Sequence, residues 1–180
     1  MLRIVQFIDS LNDRIGQAAS WLTLFMVLIT FTVVVLRFGF NLGWISMQES
    51  VTYLHATLFL AGAAFTLRHE GHVRVDIFYS RMSERGQAIV DLAGTLLLLL
   101  PVCGFIVWVS WAYVAESWVL HEGSREAGGL PGLYLLKSMI LVMAVLLVLQ
   151  GISIALRCVL FLSGRFSVLK EDREMPGEEI

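Results

Sequence analysis

The segment RHEGHVRVDIF, residues 68–78, places two histidines, a glutamate, an aspartate and two arginines in a chain that is 57% hydrophobic. His69, Glu70 and His72 are residue types that bind zinc and activate water. The zinc-protease pattern, however, needs histidines at i and i+4 on one helical face with the glutamate between them. Here the spacing is HExH, Gly71 interrupts it, and the remaining histidines, His55 in an apolar segment and His121 in a later loop, lie at other depths and do not complete a tetrahedral set. A membrane-bound haem needs two facing histidines at matching depth. Only His55 falls inside an apolar segment, where it is expected to hydrogen-bond another helix or line an interface. The sequence also has no Ser–His–Asp grouping, no phosphate-cradling glycine loop and no basic aromatic patch of the kind that binds nucleic acid. The expectation is a protein with no catalytic residues, metal or cofactor of its own.

The elements around this segment are apolar. Charged residues make up 16% of the chain and mean hydropathy is +0.76. Four windows contain no Asp, Glu, Lys or Arg: Ile15 to Leu36, Ser50 to Leu67, Leu92 to Ala115 and Ser138 to Leu156. Each reaches the ~17–25 residues that a helix rising ~1.5 Å per residue needs to cross a hydrocarbon core. Helices also satisfy their own backbone groups, as lipid requires. The prediction is an all-α integral membrane protein. One four-helix domain would occupy residues 1–165, with spans at about 15–37, 48–68, 86–117 and 131–160 and a polar tail of disordered composition at 166–180.

Ten of the thirteen cations fall on one side of these spans, and only Arg37, Arg125 and Lys137 fall on the other. The positive-inside rule then predicts both termini in the cytoplasm. Residues 68–78 become the cytoplasmic link between spans two and three. Its members Arg68, His72, Arg74 and Asp76 would anchor topology or dock on a partner. Val73, Val75 and Ile77 alternate with His72, Arg74 and Asp76, which predicts a short extended segment.

Ahead of the first span, Ile4, Phe7, Ile8, Leu11 and Ile15 recur at helical spacing, with Arg3, Asp9, Asn12 and Asp13 on other faces. This reads either as an amphipathic helix on the membrane surface or as an extension of the first span. Small residues Ala56 and Ala61 to Ala64 (AGAA, with Gly62 and Ala63 between) give the second span a face for close helix packing, with His55 beside it. Pro101 should disturb the third span. Gly128, Gly129 and Pro131 should break the chain and open the fourth. Cys103 and Cys158 lie at different depths and are expected as buried thiols. Glu49, at the lip of the second span, either caps that helix, pairs with Arg37 or meets a partner.

Taken together, W-x-x-x-x-E (Trp44, Glu49), LAGAAFTLR (Leu60 to Arg68), GHVRVDIF (Gly71 to Phe78) and the later G-L-P (Gly129 to Pro131) resemble the small membrane subunit of tripartite ATP-independent periplasmic (TRAP) transporters. The resemblance covers roughly residues 10 to 165, and Lys137 with no early proline in the fourth helix departs from it. It implies a non-catalytic subunit in a bacterial inner membrane. Its partners would be a large multi-span permease subunit, which carries sodium and an organic acid by an elevator-like movement, and a periplasmic binding protein that delivers the acid. On this reading His55, Ala56, Ala61, Gly62 and Ala63 would face the large subunit, and Arg37, Trp44, Glu49, His121 and Arg125 would meet partners on the outer face. The alternative from another class is the membrane anchor of a redox enzyme.

Overall fold

The computed structural model describes residues 2–73 and 76–164. Their regular structure is helical throughout: α1 (Leu2–Gly39), α2 (Ile45–Arg68), a single turn α3 (Asp76–Tyr79), α4 (Glu84–Gly94), α5 (Leu100–Val119) and α6 (Leu133–Leu162). A π-helical turn, Thr95–Leu99, joins α4 to α5 without a break. The four helical stretches Leu2–Gly39, Ile45–Arg68, Glu84–Val119 and Leu133–Leu162 are each long and apolar enough to cross a membrane. Arg74, Val75 and the tail from residue 165 lie outside the described residues, as does the side chain of Asp76.

α6 is the hub. It touches α1, α2, α4, the π turn and α5, while α1 lies along α2. Gly16 of α1 meets the ring of Phe65 so closely that an added Cβ would fall 2.3 Å from Phe65 Cγ. Gly151 of α6 plays the same part against the π turn, where a Cβ would approach Leu99 Cδ2 to 2.9 Å. Small residues are what permit such approaches when lipid supplies no hydrophobic force between helices.

The fold decides between the two readings of the N-terminal residues and corrects one expectation elsewhere. The N-terminal residues extend the first span and form no separate surface helix, because α1 is continuous from Leu2 to Gly39, about 57 Å at ~1.5 Å per residue. Its buried face is Val5, Ile8, Asp9, Asn12, Gly16 and Ala19, whereas Ile4 and Phe7 are exposed. Asp9 and Asn12 point in while Ile4 and Phe7 point out, against the arrangement in a water-soluble helix. The extended segment expected near residues 72–78 is likewise absent over 76–79, which form the helical turn α3. A two-residue alternation lasting so few positions is also met by a turn followed by a helical start. Just upstream, α2 ends at Arg68 and Glu70 takes a left-handed φ of 52°, with Gly71 N–H donating to the Thr66 carbonyl at 2.9 Å. His69 and His72 therefore do not share a helical face.

Pro101 shows its effect one turn early. It sits in the first turn of α5, and the Leu100 N–H reaches back five residues to the Thr95 carbonyl. A residue without an N–H and with a bulky ring is accommodated by the widened turn ahead of it. Cys103 and Cys158 are both buried.

The packing predicts that Gly16→Ala lowers the unfolding stability of the detergent-solubilised protein by about 1–3 kcal/mol. Gly62→Ala, whose new Cβ meets nothing within 4 Å, should leave it within roughly 0.5 kcal/mol. Thermal unfolding followed by circular dichroism distinguishes the two.

Candidate functional site

Two polar clusters hold the bundle, one at each end. The first is built on Asp9. Its carboxylate is 3% exposed, forms an ion pair with Arg157, and accepts hydrogen bonds from Ser153 Oγ at 2.8 Å and Gln150 Nε2 at 3.2 Å. Gln150 Oε1 in turn accepts from Asn12 Nδ2 at 2.7 Å. One helical turn further along α1, Asp13 pairs with Arg68 of α2 and lies 3.1 Å from His69 Nε2. Arg68 also donates to the backbone carbonyl of Asp9. Three helices are thus tied through adjacent carboxylates, Asp9 toward α6 and Asp13 toward α2.

The second cluster organises the connection between α5 and α6. Glu49 of α2 accepts from the Ser124 hydroxyl and, at 2.7 Å, from the Leu130 N–H. Gly129 is pressed between these partners: an added Cβ would lie 2.4 Å from Ser124 Oγ and 2.7 Å from Glu49 Oε2. Glu49 therefore neither caps α2, whose N-terminus has no side-chain cap, nor turns to Arg37. It pins the loop. Within that loop, Glu122 accepts from Lys137 and from the Ser117 hydroxyl. The Lys137 ammonium and the Ser117 hydroxyl hold the Glu122 carboxyl below its ordinary value. Lys137 also stands 3.9 Å from the centre of the Tyr113 ring. Trp118 donates from Nε1 to Ser138 Oγ at 2.7 Å and meets the Tyr134 ring edge-on, with centroids 4.7 Å apart.

The remaining sequence candidates are dispersed. Ala61 is 7% exposed and taken up by the chain's own packing. His55 and Phe59 are exposed on the outside of α2, their rings stacked with centroids 6.5 Å apart, and Gly62 is open on that side. Arg37, Trp44, His121 and Arg125 are exposed. His121 adopts a left-handed φ of 44° where α5 ends and lies against Tyr134. His72 is exposed in the link after α2, apart from either cluster. Among the described residues, no three His, Cys, Asp or Glu side chains group closely enough to hold a metal ion.

Asp9, Asn12 and Asp13, which the sequence places only on faces other than the apolar stripe, are the centre of the first cluster, together with Gln150, Ser153 and Arg157. A signal existed. Asp9, Asn12, Gly16 and Ala19 form one helical stripe, and Gln150, Ser153 and Arg157 form another on the last span. Two polar stripes in apolar helices are natural mates.

A bundle of four helices long and apolar enough to cross a membrane, with Asp9, Asp13, Glu49 and Glu122 joining its own elements, belongs among multi-pass membrane proteins. Residues 26–161 match the family described as tripartite ATP-independent periplasmic transporters, DctQ component, and the chain belongs to that family. It is also 33% identical over 86 residues to a Haemophilus influenzae protein provisionally named a TRAP transporter small permease. That match covers 48% of this chain and 53% of the relative, so the chain spans about half the length of the curated relative it matches. No solved structure matches. The chain is therefore a TRAP transporter subunit, and Glu49 and the G-L-P loop, two of the family marks seen in the sequence, are hydrogen-bonded to one another.

Two outcomes test the clusters. Asp9→Ala should destabilise the protein by about 3–5 kcal/mol by removing the buried carboxylate that Arg157, Ser153 and Gln150 share, and Asp9→Ala combined with Arg157→Met should recover part of that loss. The Glu122 bridge contributes fully at pH values above the ordinary carboxyl value of 4.5 and is lost as pH falls through the lower value of the folded state. Hydrogen exchange at residues 121–132 should accelerate over that acidic range, and Glu122→Gln should remove the part of the pH response that this bridge supplies.

Proposed function

We propose that this chain is the static, non-catalytic brace of a TRAP-type secondary transporter. It would support a large multi-span permease subunit that takes up an organic acid with sodium, the acid being delivered by a periplasmic binding protein. The observation that carries this reading is the family match over residues 26–161, joined to the internal use of the polar groups. Asp9, Asp13, Glu49 and Glu122 are all bonded to partners within the chain. A transport pathway needs polar groups that a substrate or ion can reach. A brace needs helices that keep their places.

Residues 1–165 then act as one domain in the bacterial inner membrane, with both termini in the cytoplasm as the cation distribution favours. The face offered to the large subunit is the outward side of α2, where His55, Phe59 and Gly62 recur at helical spacing, with Ala63 beside them; Ala56 turns toward the cleft against α6. Ala61 contributes from within, by setting how α2 sits in the bundle. At the periplasmic end Arg37, Trp44 and His121 are the exposed groups available to the binding protein, beside the loop whose shape Glu49 holds.

The test is affinity purification of the tagged chain from its host in mild detergent, followed by mass spectrometry. A larger multi-span protein should come with it at equal stoichiometry. Gly62→Leu, which meets open space within this chain, should cut that recovery about tenfold or more, as loss of an interface hot spot does. Recovery of the chain alone, or with a redox subunit, would overturn the proposal.

A further inference from the structure

α2 and α5 both lean on α6 but leave a cleft of about 480 Å³ between them near the Glu49 end. Its walls include Ala56 and Leu60 of α2 and Ile140 of α6, and its rim carries Glu122, Arg125 and Lys137. The geometry points to a phospholipid site: the phosphate of the headgroup meets Arg125, and the first part of an acyl chain lies along Ala56, Leu60 and Ile140.

Charge sets the occupant at the rim. Lys137 and Glu122 neutralise one another, and Lys137 is further committed to the Tyr113 ring. Two cations against one carboxylate leave a single net positive charge, that of exposed Arg125. Neighbouring Glu126 lines a separate hollow beside Glu49. A phosphodiester supplies the matching single negative charge at headgroup height.

Apolar walls set the occupant below. From the start of α6 to Ile140 the open cleft is lined by Leu133, Leu136 and Ile140 on one side and by Ala56 and Leu60 of α2 on the other. A flexible hydrocarbon chain can lie along such a groove without leaving the bilayer. The inference rests on those helices lying in a bilayer and is independent of which protein the chain supports.

Native mass spectrometry of the full chain, purified with whatever accompanies it in mild detergent, reads the site directly. The wild type should retain about one phospholipid per chain after stringent washing, consistent with a single slot. Arg125→Ala should retain about fivefold less, the change that one cation at a lipid surface supports. Ala56→Phe, which fills the slot, should lose it as well, whereas Arg37→Ala, away from the cleft, should keep it. Retention by both cleft variants, or equal loss in all three, overturns the site. A photoreactive residue at position 60 offers a second reading that does not depend on those variants folding. Crosslinking to phospholipid supports the site, and crosslinking to a polypeptide, or to nothing, overturns it.

Discussion

Asp9 is the residue on which the architecture turns. A carboxylate withdrawn from water and unpaired costs several kcal/mol, so its surroundings cannot slide. Arg157, Ser153 and Gln150 occupy successive positions along one side of α6, and all three reach the same carboxylate. Moving α1 along α6 by a single turn would carry Asp9 about 5.4 Å past them. Apolar side chains in lipid give no comparable penalty for slipping, because a leucine against another helix and a leucine against an acyl chain are nearly equivalent. The polar group supplies what the hydrophobic effect supplies in water: a reason to prefer one register.

The opposite end is fixed by the same device applied to a loop. Glu49 holds Ser124 and Leu130, and Lys137 holds Glu122, so the chain between α5 and α6 is fastened to α2 on one side and to α6 on the other. The two clusters lie at the two ends of the bundle, and small residues such as Gly16 and Gly151, beside the Asp9 cluster, let the helices come close there. Polar bonds fix register, and small side chains fix distance.

Much of this was legible beforehand because lipid imposes simple rules. Four charge-free windows were enough to find the four spans, since few other structures tolerate such segments. The family resemblance came from short motifs, and two of them, Glu49 and Gly129 to Pro131, turned out to be neighbours that sequence distance had hidden. What escaped was directional. Ile4, Phe7, Ile8, Leu11 and Ile15 mark an apolar stripe, but the stripe alone does not say which side of the helix meets other helices. In a membrane the polar residues are the ones that must find partners, so Asp9 and Asn12, and not Ile4 and Phe7, mark the packed side. Residues 76–79 failed for a different reason: a few alternating positions cannot separate an extended segment from a turn entering a helix. The helical turn α3 depends on contacts such as Gln87 Nε2 donating to the Tyr79 carbonyl, eight residues away.

The π turn at Thr95–Leu99 does more than make room for a proline. Along the third span the buried positions include Ala88, Thr95, Cys103 and Val114. In an unbroken α-helix, at ~100° per residue, a step of seven returns almost to the same side and a step of eight overshoots by about 80°. Ala88 to Thr95 is a step of seven, and Cys103 to Val114, a step of eleven, also nearly closes. The step from Thr95 to Cys103 is eight, and it crosses the π turn. The extra residue held in that wider turn absorbs the overshoot, so the seam facing α6 stays in phase from one end of the span to the other. What reads as a blemish in the helix is the point at which two differently phased patterns are spliced into one.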